Sequence, residues 1–181
     1  MSILDLNTSW YIKFTLPVYS WLMNRIYQLV YFRRRKAALE DMEITIANLK
    51  RDLEEAKNFP VKVDYPENMA VSQFMRTFKY EDSFFHFKPD ILTYFECKHT
   101  GHCYWSSAAA VWAYEQLGMK AYIYILTRPK GTSHAVCVPA TNSIVISNGE
   151  CESLKDKFIL NVVKGGYTAV WNSIGQKIWE R

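Results

Sequence analysis

The chain has 181 residues and a mass of 21.2 kDa, enough for one generous domain or a domain with an appendage, which excludes two large domains. Hydrophobic residues make up 49% and charged residues 22%, a globular balance that excludes intrinsic disorder, and four irregularly spaced cysteines exclude a disulfide scaffold. The formal net charge of +4 splits evenly at Pro60, nine basic against seven acidic residues before it and thirteen against eleven after it, so nucleic acid is not expected as a partner.

In chain order, the first five residues lack a positive n-region and no small-residue cleavage site follows, so no secretory signal is expected. The expected location is the cytoplasm or a viral particle. Residues 10–32 are strongly apolar, but Lys13, Pro17, Asn24, Arg25 and Gln28 interrupt them. The longest uncharged run, 14–24, falls well short of the ~20 residues that span a bilayer. Leu22, Ile26, Leu29 and Val30 recur at helical spacing, a pattern that suits packing on a protein or lying in a membrane interface. Packing on protein is the expectation. The cluster Arg33, Arg34, Arg35 and Lys36, next to the aromatic run 27–32, could meet anionic lipid or phosphate, but the expectation is a solvated helix face.

Leu39, Met42, Ile46, Leu49, Leu53 and Ala56 then form a heptad stripe, which predicts a helix with an apolar seam, stopped at Asn58-Phe59-Pro60. Under three heptads are marginal alone, so the seam needs a second copy, another subunit or the body of the same chain. Self-association or a protein partner through residues 10–58 is one expectation and intramolecular packing the other. A short helix over 69–78 and an aromatic loop with Tyr80, Phe84, Phe85 and Phe87 follow. A small, apolar helix is predicted over 103–117, stopped by Gly118. Strands over 120–127, 134–139 and 144–148, a helix over 153–163 ending at Gly165-Gly166, and strands over 167–171 and 177–179 complete an α+β pattern.

Chemistry concentrates around Cys103. A cysteine at a helix N-terminus meets unpaired N–H groups and the positive end of the helix dipole, which favour its thiolate. His134 opens the second predicted strand and supplies a base. If the following hairpin leaves 140–142 unpaired, His134 lies opposite Asn148, at the separation where an amide can orient an imidazole. The N–H of Cys103 is the candidate oxyanion donor. Cys97, His99, His102 and Cys103 are zinc-type side chains within seven residues, but their spacing is poor for one ion, so no metal and no cofactor is expected. Cys137 and Cys151 read as packing residues, and His86 as an ordinary core or surface histidine.

Gly101-His102-Cys103 opening a helix, followed by Ser133-His134-Ala135-Val136 and then Ile146-Ser147-Asn148-Gly149, resembles the transglutaminase-like, papain-fold cysteine peptidase superfamily over residues 75–150. The resemblance implies a papain-like core of a central helix on an antiparallel sheet, with Cys103 as nucleophile, His134 as base and Asn148 as orienting residue. Two positions depart from the family pattern: Asn148 stands where Asp is usual, and His102 where an acidic residue commonly precedes the cysteine. The expectation is therefore an N-terminal helical arm (1–60) on a cysteine hydrolase domain (61–181) that acts on a protein or peptide substrate. The alternative is an inactive papain-like scaffold docked into a larger assembly, such as a viral one, by its N-terminal helices.

Overall fold

The computed structural model describes residues 3–58, 65–81, 91–129, 133–154 and 158–180, with side chains from residue 19 onward except those of 160 and 161. A single long helix, α1 (Ile3–Lys57), leads into α2 (Pro66–Met75), the two-residue strand β1 (Lys79–Tyr80), α3 (Ile91–Glu96), β2 (Thr100–Gly101) and α4 (Cys103–Gln116). Strands β3 (Ala121–Thr127), β4 (His134–Pro139), β5 (Ile144–Ser147) and β6 (Glu150–Ser153), helix α5 (Phe158–Lys164), and strands β7 (Ala169–Asn172) and β8 (Lys177–Glu180) complete the chain. The fold is α+β, with a six-stranded sheet in the order β6-β5-β4-β3-β7-β8, every pairing antiparallel. The aromatic loop at Phe84, Phe85 and Phe87, with His86, lies outside the described residues.

The heptad seam finds its partner within the chain. Ala38, Leu49 and Leu53 are buried, with Met42 and Ile46 packed beside them, in the core that also holds Val71, Phe74, Tyr94, Ala109 and Ala113 of α2, α3 and α4. Leu39 itself stays outward, so the stripe begins at Ala38. The second half of α1 thus belongs to the body, while residues 19–37 are exposed. Helix α2 begins at Pro66, three residues before the expected start, because proline suits the first helical position, where its missing N–H is not needed.

Helix α4 is the pivot of the body. Trp105, Ala109, Ala110, Trp112, Ala113 and Tyr114 are all buried, so it is enclosed on several sides instead of lying half in water. Gly101 permits its entry, since a Cβ there would come within 2.8 Å of Trp105. At its far end Gly118, at φ 75, turns the chain so that the N–H groups of Gly118 and Met119 close on the carbonyls of Glu115 and Tyr114. A buried polar chain then ties α4 to the sheet: Tyr114 donates to Asn68 Oδ1, and Asn68 Nδ2 donates to Ser143 Oγ, each at 2.9 Å.

That anchor sets the β4–β5 register. Cys137 pairs with Ile146, one residue away from the alignment a connection over 140–142 would give. The connection includes Ser143, held by Asn68, and Asn142 takes the left-handed conformation at φ 52. Downstream, residue 153 ends strand β6, and the helix expected from there begins only at Phe158. The dipeptide Asn148-Gly149 joins β5 to β6 as a two-residue hairpin: Ser147 pairs with Glu150, and both turn residues have positive φ, 51 and 85.

Candidate active site

Cys103 is the first residue of α4, as expected. His102 caps the helix, its Nδ1 accepting from the Tyr104 N–H at 3.3 Å, so an imidazole holds the place of the usual Ser, Thr or Asp cap. No acceptor for the Cys103 N–H occurs among the described residues, which keeps that group as the helix-start donor. One turn on, Ser107 donates to the Cys103 carbonyl and Ser106 Oγ accepts from the Gly149 N–H at 2.8 Å. The second of these contacts places the start of α4 at the end of the sheet where the β5–β6 turn lies.

His134 opens β4 at that same end, half-buried, with Nε2 2.7 Å from Ser147 Oγ. Burial first and Arg128 second push its pKa below the ordinary value of 6.5, so the ring is neutral at pH 7. The hydrogen-bond partner of His134 is therefore Ser147 and not Asn148. The cause is the register: side chains alternate across a strand, and a slip of one residue exchanges the two faces. Asn148 is instead a turn residue, its buried Oδ1 without a hydrogen-bond partner among the described residues.

The faces also locate the two halves of the site. Cys137 and Ile146 pack with α4, while Val136 and Val138 pack on the other side with Phe158 and Val162 of α5. By alternation His134 belongs to the α5 side of the sheet, at its very end, where β4 and α4 both begin. Cys103 and His134 share no hydrogen bond. The structure brings together His134 and Ser147, and Ser106 and Gly149, and places Asn148 in the turn that follows β5.

The other thiols separate from Cys103 by environment. Cys137 is fully buried and its thiol is pushed far up by that burial. Burial likewise raises Cys151, and raises Cys97 with help from Glu96. The zinc-type side chains do not converge. His99 turns to α1, with Nδ1 2.9 Å from Thr77 Oγ1 and Nε2 3.3 Å from Asp41 Oδ2, the latter an ion-pair distance without hydrogen-bond alignment. Among the described residues no three His, Cys, Asp or Glu side chains gather as metal ligands would.

Ser147 is the residue that sequence reasoning missed. The signal was present in Asn148-Gly149, the strongest two-residue hairpin sequence, which ends β5 at Ser147 and removes Asn148 from the strand. Set against known proteins, the chain matches no family model, no curated protein and no solved structure.

Proposed function

We propose that the chain is a cysteine hydrolase, a peptidase or amidase with a transglutaminase-like, papain-type core, in which Cys103 is nucleophile, His134 the acid–base group and Ser147 its positioning residue. The observation that carries this reading is the 2.7 Å His134 Nε2–Ser147 Oγ contact. With Nε2–H donating to Ser147, the Nδ1 lone pair is left for the thiol proton. Cys103 Sγ attacks the amide carbonyl as its proton passes to Nδ1, and the Cys103 N–H faces the developing oxyanion. The imidazolium then protonates the leaving amine, the C–N bond breaks, and water cleaves the thioester with His134 as base. A hydroxyl cannot offset a histidinium as a carboxylate would, and the depressed His134 pKa opposes a resting thiolate–imidazolium pair. His134 therefore enters the reaction as the neutral base.

A second reading, a non-catalytic scaffold, rests on the side of the sheet that His134 occupies. Labelling with a small electrophile at pH 7, read by peptide mass spectrometry, decides between them. Selective modification of Cys103, slowed about tenfold or more in His134→Ala, supports the hydrolase. Labelling of Cys103 that is unchanged in His134→Ala leaves the scaffold.

A further inference from the structure

The net charge of +4 is concentrated ahead of the body. Between Asp5 and Glu40 there is no acidic residue, while Lys13, Arg25, Arg33, Arg34, Arg35 and Lys36 are all basic. The excess positive charge of the chain therefore lies wholly in the first part of α1, and everything else is slightly acidic. The described portion of this arm also exposes a continuous run of large apolar side chains, with Tyr27 67% and Phe32 74% accessible.

The arrangement around the helix is ordered. At about 100° per residue, Leu22, Met23, Ile26, Tyr27, Leu29 and Val30 fall within an arc of about 160°. All six are exposed. Ser20, Asn24, Arg25 and Gln28 lie opposite, interleaved with Trp21, Tyr31 and Phe32. The rings carry cations: Arg25 sits 5.6 Å over the Trp21 ring, and Arg35 Nη1 donates to the Tyr31 hydroxyl at 2.9 Å. The four-residue basic run, which ends two residues before the buried Ala38, closes the arm.

We propose that residues 19–36 dock the body on an anionic lipid bilayer, the helix lying in the interface with its Leu22–Val30 side in the acyl boundary and its basic run on the phosphates. No helix among the described residues is long and apolar enough to cross a membrane, so the mode is interfacial. The charge selects the occupant. A second copy would bring six like charges against six, and a nucleic acid would leave the apolar arc in water. An anionic bilayer satisfies both surfaces, and Trp and Tyr, apolar with a polar tip, suit its headgroup layer. The heptad seam, already covered by α2, α3 and α4, does not compete for this role.

The test is co-sedimentation of the full chain with vesicles of phosphatidylcholine, alone or mixed about 2:1 with phosphatidylserine, at low and high salt. Binding to the mixed vesicles that weakens in salt and in neutral vesicles is expected. Replacing Arg33, Arg34, Arg35 and Lys36 by Gln should weaken it about fivefold per charge, several hundred-fold in all. Leu22→Ser with Ile26→Ser should weaken it about tenfold or more per side chain. Since both sets lie outside the packed body, an unchanged melting transition accompanies these losses. No binding by the wild type, or equal binding by the wild type and the Gln variant, overturns the proposal. So does a stable dimer that the Ser variant dissolves and that ignores vesicles.

Discussion

Ser147→Asp tests the proposed pair most directly. In the wild type the His134 ring faces a neutral hydroxyl at 2.7 Å, and burial together with Arg128 holds its pKa below 6.5. A carboxylate in that place sits within about 4 Å of Nε2, and an opposite charge at that distance raises a histidine by about 1–3 units, or about 1–4 kcal/mol in favour of the imidazolium. The same charge also offsets Arg128. Two readouts follow from one variant. The His134 Cε1–H resonance should titrate at higher pH by that amount, and the rate of Cys103 alkylation between about pH 6 and 7 should rise roughly tenfold for each unit gained, as the thiolate–imidazolium pair becomes populated. A His134 titration that does not move would refute the Ser147 contact. A titration that moves while Cys103 alkylation stays flat would show that the thiol and the imidazole are uncoupled, and the hydrolase reading would fall with it.

The remaining expectations concern the body. His134 and His99 are both held below 6.5, each by burial first, so the fold favours their neutral forms. Their contribution to stability is complete above the unfolded value and is lost as pH falls from 6.5 through the depressed folded values, so the melting temperature should decline over that window; a flat profile there contradicts the burial of both rings. Leu49→Ala removes a side chain only 1% exposed and should cost about 2–5 kcal/mol in denaturant unfolding, whereas a cost under about 1 kcal/mol would mean that the α1 seam is not core. Gly149→Ala places a Cβ 3.0 Å from the Met75 carbonyl at a φ of 85 and should destabilise by about 1–3 kcal/mol, measured the same way, with wild-type stability counting against the type I′ turn. Deleting residues 1–37 should leave a cooperative melt, and deleting 1–58 should abolish it, because only the longer deletion strips Leu49 and Leu53 from the core; equal melts would place the whole of α1 outside the body.

How far the sequence carried depended on whether the deciding interaction was local. The start of α4 at Cys103, its stop at Gly118 and the span of β4 from His134 to Pro139 were all legible, because a small apolar run, a left-handed glycine and a period of two act within a few residues. Strand β6 and the late start of α5 were not legible, since residues 150–153 carry no apolar alternation and are recruited by pairing with β5. The partner of the heptad seam was left open for the same reason: a stripe records that a face is buried and not what buries it. The candidate site shows the same limit in its sharpest form. His134 was recognised, yet its hydrogen-bond partner turned on a single step of register. That step is set by Asn68 holding Ser143 from a helix some seventy residues upstream, a contact no local pattern encodes. Asn148 looked like the orienting amide because Asn also suits that chemistry, but Asn before Gly suits a type I′ turn better, and the backbone's demand at φ 51 and 85 is the stronger constraint. With Asn148 committed to the turn, the side chain on the histidine's face at the end of β5 is Ser147. Under the proposed reading the site works with a hydroxyl where an amide was expected, and the response of the His134 pKa to a carboxylate is what tests that reading.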